Sequence, residues 1–322
     1  SVTVRGKFNQ IGSSAQTTLS GACLTSIDSW GKAWSKDKAY RGRTMSLSYA
    51  FFNATSLNAV AAPPMKITDL TRTFSNATVF DKSLNDWDTS ENTSLNSTFF
   101  GATNFNNGGQ RELTWNTAKV TSAASTFRDA TKFDSGLNSW DVSNVTDMNS
   151  MFFGASIFQN AGYPLTWGSK TANVTNMASM FRTCRGCGFL AGLNNFNTAN
   201  VTNMSSMFQE IRGPIESNIG GWNTSKVTSM ASMFYLNEGG FSMNLSSWDV
   251  SKVVNMNSMF RSIPGMGLSL AWGAKTAAVT DMGQMFRDCE DCNVDISGWN
   301  TANVTNMGQM FNNNFTFNAN IS

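Results

Sequence analysis

The chain has 322 residues, of which 14% are charged, and its net charge is +2. So weak a charge supplies no field to draw nucleic acid or acidic membrane, and no apolar run approaches the roughly 18 residues needed to span a bilayer. Histidine is absent, which removes the commonest general base, the Ser-His and Cys-His nucleophile pairs and His-ligated metals. The chain opens at Ser1 without a basic-then-apolar leader, as a processed or partial chain would.

Residues 1–45 fit the repeat poorly. Val2 and Val4 alternate with polar neighbours as in a half-buried strand, and Trp30 and Trp34 stand one helical turn apart. A repeat array needs its first unit covered, so this stretch is expected to be an N-terminal cap. Cys23 has no sequence partner there.

From residue 46 one pattern returns. It is clearest as WDVSNVTDMNSMF from Trp140, WNTSKVTSMASMF from Trp222, WDVSKVVNMNSMF from Trp248 and WNTANVTNMGQMF from Trp299. The Phe that closes it sets the register at 51, 74, 99, 127, 152, 181, 208, 234, 260, 286 and 311, with spacings of 23 to 29 residues. A period in this range marks stacked units that cannot stand singly. Each unit buries about five apolar side chains, too few to offset the entropy of ordering its own residues.

Through Phe127 the copies are irregular, with Leu70 and Leu95 in place of Met, and Thr73, Thr98 and Thr126 before the Phe. Later copies are strict, as at Val145, Met148 and Met151-Phe152. The three-three-one spacing predicts a short strand through Val-Thr-x-Met and one tight helical turn carrying Met-Phe. Trp-Asp or Trp-Asn, among Ser, Thr and Gly, supplies the turn into the strand. Two copies are longer, at Trp167 and Trp272, and the same two carry Cys-x-x-Cys. Trp, Phe and Cys all recur there 105 residues apart, as in a duplicated block of four repeats or a recurring environment.

The string Asp/Asn-Val/Thr-Ser-x-Val-Thr-x-Met-x-x-Met-Phe resembles the repeat of BspA-like leucine-rich-repeat surface proteins, in the Met-Phe variety. The resemblance covers about residues 46–322. It implies a right-handed solenoid of about eleven coils, each with one short strand and a helical turn. It further implies an extracellular or surface location, a role in adhesion or surface architecture, and no catalytic residues.

Several residue sets invite chemistry. Cys184, Cys187, Cys289 and Cys292 suggest a four-thiolate zinc site, but four repeats separate the pairs, too far for one tetrahedral centre. Local disulfides, buried free thiols and separate redox sites remain. Cys184 and Cys289 take the place of Ala102, Ala130 and Ala155, and Cys187 and Cys292 that of Phe105, Phe133 and Phe158, so both positions read as internal. The Met and Trp registers read as core. Asp88, Asp141 and Asp249 alternate with Asn116, Asn223 and Asn300, which favours turn chemistry over calcium.

Threonine forms two ranks, one through Thr121, Thr146, Thr175, Thr202, Thr228, Thr280 and Thr305, the other through Thr89, Thr117, Thr171, Thr198, Thr224 and Thr301. Flat Thr arrays suit ice or crystalline polysaccharide, but cross-strand pairing accounts for them equally. Candidate N-glycosylation sequons begin at Asn53, Asn76, Asn92, Asn96, Asn144, Asn173, Asn200, Asn203, Asn223, Asn244, Asn303, Asn314 and Asn320.

Together these features are read as a non-enzymatic extracellular structural or adhesive surface protein, without cofactor or metal. The chain stops inside a repeat, at Ile321-Ser322, so its C-terminal end is expected to be open. An open end calls for further repeats or a second copy, the latter building a head-to-tail fibre. Surface glycans or other cell-surface proteins are the remaining expected partners. The alternative reading is a carbohydrate- or ice-binding module.

Overall fold

The structure is a computed structural model that describes residues 24–30, 43–239, 243–264 and 267–319. Val2, Val4, Cys23, Trp34 and Asn320 lie outside the described residues, and so does most of the expected cap. The chain forms two compact units, Ser1–Asp147 with Met151–Tyr163, and Met148–Ser150 with Pro164–Ser322. The same repeat builds both.

At the start of unit 1 the strands are parallel and short. β1 (Ser26–Ile27) pairs with β3 (Ala59–Val60), and β2 (Thr44–Ser46) pairs with β4 (Lys66–Asp69). The Trp30 indole donates to the Ala61 carbonyl at 2.8 Å, and its ring lies 6.5 Å from that of Phe51. This stretch therefore packs on the first repeat.

Past β4, pairing shrinks to isolated parallel bridges. Ser94, Ser122 and Asp147 follow one another in unit 1, and Asn176, Asn203, Ser229, Asn255, Asp281 and Asn306 in unit 2. The cause lies in the eight residues that follow, for example Met177 to Cys184. The N–H groups of Met177, Ser179, Phe181 and Thr183 donate to carbonyls of the next repeat, on Asn203, Ser205, Met207 and Gln209, at 2.8–3.0 Å. Those of Met180, Arg182 and Cys184 close turns onto Met177, Ser179 and Phe181. Ala178 donates to Asn176 Oδ1 at 3.1 Å. All eight donors are satisfied, half across the repeats and half locally.

That alternation requires a left-handed residue at the third place of a turn. Ser179 has φ 55° and Thr183 φ 54°. The pair recurs at Ser206 and Glu210, Ser232 and Leu236, and Ser258 and Ser262, and in unit 1 at Ser97 and Gly101. The expected helical turn is therefore a run of overlapping tight turns. Its i→i+3 bonds are those of a helical turn, but a helix of L-residues excludes positive φ.

Rings fill the interior in columns. In unit 1, Phe74, Phe99, Phe127 and Phe152 stack at centroid spacings of 5.5–5.7 Å. A second column of Phe80, Phe105, Phe133 and Phe158 lies beside it, with Phe99 and Phe105 only 3.8 Å apart. Unit 2 has a column of its own, Phe181, Phe208, Phe234, Phe260, Phe286 and Phe311, at 5.7–5.8 Å. The irregular early copies share the backbone of the strict ones. Thr98, in the place of Met151, is buried, and its hydroxyl donates to the Leu70 and Leu95 carbonyls at 3.0 and 2.8 Å.

The left-handed serines predict a simple pair of outcomes. Ser206→Gly should leave the melting temperature unchanged or higher, because glycine adopts φ 55° without strain. Ser206→Val should cost about 1–2 kcal/mol, read by denaturant unfolding.

Candidate functional site

The polar residues that repeat along the sequence separate by face. In the Thr89 rank Thr89, Thr117, Thr171, Thr198 and Thr224 turn inward, while Thr301 is exposed. Thr117, Thr198 and Thr224 are buried and donate to the carbonyls of Asp141, Asn223 and Asp249 in the next repeat at 2.9 Å. The Thr121 rank turns outward. Thr146, Thr202 and Thr228 are exposed, and their hydroxyls donate to the carbonyls of Thr121, Thr175 and Thr202 in the repeat before, at 3.1–3.2 Å. The two ranks thus occupy opposite sides of the coil wall.

Tryptophan is an anchor. The indoles of Trp115, Trp140, Trp222, Trp248 and Trp272 donate to the carbonyls of Leu84, Leu113, Leu193, Ile219 and Leu245, one repeat back, at 2.8–3.1 Å. Asp88, Asn116, Asp141, Asn223, Asp249 and Asn300 each accept the N–H two residues on, at 3.0–3.1 Å, as Asx turns do. Among the described residues, no three His, Cys, Asp or Glu gather as metal ligands.

The cysteines pair within their own repeats. Cys184 is bonded to Cys187 and Cys289 to Cys292, with Cα atoms 5.3 and 5.5 Å apart. All four are buried where unit 1 places Ala and the second Phe.

The sequons have unequal standing. Asn53, Asn144, Asn173, Asn223, Asn244 and Asn303 are exposed, and Asn76, Asn96, Asn200, Asn203 and Asn314 are half-buried. Asn92 is a correction. It is 1% exposed, in the place that Val120 and Val145 hold in the following repeats, so no glycan fits on it in the folded chain. Its Nδ2 and Oδ1 find no partner among the described residues. Asn144, Asn200 and Asn303 share one register, and their amides donate to the carbonyls of Ala118, Ala172 and Ala277, one repeat back, at 2.7–2.8 Å.

One row went unread in the sequence. The residue after the core Phe is aromatic at Phe52, Phe100, Phe153 and Tyr235 and Arg at Arg128, Arg182, Arg261 and Arg287, all half-buried. The Arg128 guanidinium sits 5.3 Å from Phe100 and 4.4 Å from Phe153, and Arg261 sits 5.0 Å from Tyr235. Arg261 and Arg287 also share Asp288, at 3.7 and 3.2 Å. Reading that column down the aligned repeats would have exposed its enrichment in Arg and aromatic residues.

A family model described as "Mycoplasma protein of unknown function, DUF285" matches residues 45–167, 165–272 and 270–322, three tandem copies. The chain belongs to the DUF285 family. No curated protein and no solved structure matches it.

Carboxylates of the DUF285 repeat are tuned by the turns they make. Hydrogen bonds from the Ser90 hydroxyl and N–H hold Asp88 below the usual Asp value, against a smaller opposing effect of burial. The Ser251 N–H and hydroxyl do the same for Asp249, helped by Lys275 and Lys252. A depressed carboxyl stabilises the fold above its unfolded pKa, and that contribution is lost as pH falls through the folded value. Asp134 runs the other way. Burial raises it, so it favours the fold at low pH and loses that contribution as pH rises through its folded value.

Two measurements follow. Asn92→Val should raise stability by about 1–3 kcal/mol, since it removes an unpartnered buried amide. Asp249→Asn should keep the turn, as Asn223 and Asn300 do, while flattening the fall in melting temperature as pH drops below the usual Asp value.

Proposed function

We propose that this chain is a non-enzymatic extracellular protein that builds or decorates a surface. Its repeats form a right-handed leucine-rich-repeat-like solenoid of the BspA-like kind. The observation that carries the reading is where the reactive side chains go. Threonine hydroxyls, Trp indoles and Asn amides are spent on the backbone of the adjacent repeat, as at Thr224, Trp248 and Asn200. Side chains committed in this way serve architecture. Paired, buried cysteines support an oxidising compartment.

Self-association is the expected way such an array extends. Met307 is 44% exposed, whereas Met282, its counterpart one repeat earlier, is fully buried. Either further repeats or another copy laid on that edge would bury it, and in the second case a head-to-tail contact does not close. Protein purified from a secretory host, examined by electron microscopy and sedimentation, decides the matter. Concentration-dependent filaments with no free thiol at the four paired cysteines are the expected result. Stable monomers, or closed dimers, would refute the fibre, and reduced cysteines in native protein would remove the support for secretion.

A further inference from the structure

The two Cys-x-x-Cys loops of unit 2 are held to their neighbours unequally. In unit 1 the corresponding corner of the coil is held twice. The second Phe packs on the core Phe, with ring centroids 3.8 Å apart for Phe99 and Phe105 and for Phe127 and Phe133, and 4.1 Å for Phe152 and Phe158. The residue after that second Phe then ties one coil to the next. Asp81 Oδ1 accepts the N–H groups of Asn106 and Gly108, Asn106 Oδ1 that of Asp134, and Asp134 Oδ1 that of Gln159, at 2.6–2.9 Å.

Both devices are replaced in the coil of Phe181. Cys187 stands in the place of the second Phe, bonded to Cys184, and the residue that follows is Gly188, which has no acceptor side chain. Among the described residues, Arg185, Gly186 and Cys187 make no hydrogen bond to another coil. The Cys187 N–H closes onto the Cys184 carbonyl and the Leu190 N–H onto that of Cys187, each at 3.1 Å, and a tie to the next coil returns at the Leu190 carbonyl, which accepts the Ser217 hydroxyl at 2.9 Å. The second loop keeps its ties. Asn293 follows Cys292, and its Oδ1 accepts the Asn318 N–H at 2.9 Å. The Cys292 and Glu290 carbonyls accept the Asn314 amide at 3.1 Å and the Thr316 hydroxyl at 2.7 Å. At Cys289–Cys292 the disulfide is one link among several, whereas at Cys184–Cys187 it is the link that fixes the loop.

We propose that Cys184–Cys187 is a redox latch, whose reduction frees residues 184–190 while the array stays folded. Both sulfurs are buried, but the two residues they bracket, exposed Arg185 and Gly186, bond to no other coil, so a local opening there admits a reductant. A thiolate of a small dithiol attacks one half-cystine sulfur, giving a mixed disulfide and one cysteine thiol. The second sulfur of the dithiol then displaces the other cysteine, so two electrons and two protons pass to the pair and the dithiol leaves as its own disulfide. The freed thiols are small and apolar, as a buried position requires. The Phe181 ring still stacks on Phe208 at 5.8 Å, and its N–H still reaches the Met207 carbonyl at 3.0 Å, so the coil keeps its place.

Hydrogen exchange of chain 1–322, read by mass spectrometry before and after dithiothreitol with alkylation to locate the thiols, tests the latch. Once reduced, the amides of residues 185–190 should exchange about ten-fold faster or more, those of 290–293 should change less, and those of 131–134, where a Phe holds the corner, should not change. Gly188→Asn, which supplies the acceptor that Asn293 supplies in the other loop, should bring the first response down to the second. Unchanged exchange at 185–190 after alkylation shows the bond reduced would overturn the proposal. Equal responses at the two loops would do so as well, as would a Cys184–Cys187 bond that stays oxidised for as long as the chain is folded.

Discussion

Every backbone donor in a repeat has to be satisfied, and the way this chain does it sets everything else. Between Met177 and Cys184, alternate N–H groups reach the next repeat and the intervening ones close turns. A regular strand would send half its donors to one neighbour and half to the other, and a helix would keep all of them. The run of turns does neither, and it costs two left-handed residues per repeat, Ser179 and Thr183 here. Each costs on the order of 1–2 kcal/mol outside glycine. The cross-repeat bonds and the buried rings offset that, so no repeat is stable without neighbours.

The same geometry explains which residues can be exchanged. Met and Thr alternate at one core position because the site offers both a cavity for a long side chain and two carbonyls within reach of a hydroxyl, as Thr98 shows. Phe and half-cystine alternate at another. In unit 1 the second Phe column packs on the first, whereas in two repeats of unit 2 a disulfide takes its place and ties the loop directly. Asp and Asn alternate at the turns because either supplies the one acceptor oxygen needed, and only the Asp positions make stability depend on pH.

Outside, the two sides of the coil differ in kind. The row after the core Phe is built of Arg, aromatic and acidic groups that bind one another, as Arg261, Tyr235 and Asp288 do. The threonine wall is short, nearly uncharged and internally satisfied. A ligand meeting the first must compete with an existing network.

The sequence left the state of the cysteines open among local disulfides, buried free thiols and separate redox sites, but the period, the core registers and the anchor role of Trp were legible in it. They depend on residue type at a fixed interval, and stacking preserves that interval. The turns at Asp88 and Asn116 were legible too, because Asx chemistry is local to three residues. The backbone of the Met-Phe step was not, since left-handed Ser, Gln and Leu carry no sequence mark of their φ and are imposed by carbonyls a whole repeat away. Nor was the burial of Asn92, whose sequon pattern is indifferent to whether a Val position lies beneath it. Which threonine rank faces out was decided only by the stack, because the two ranks share composition and differ solely in which neighbouring repeat supplies their carbonyl partner.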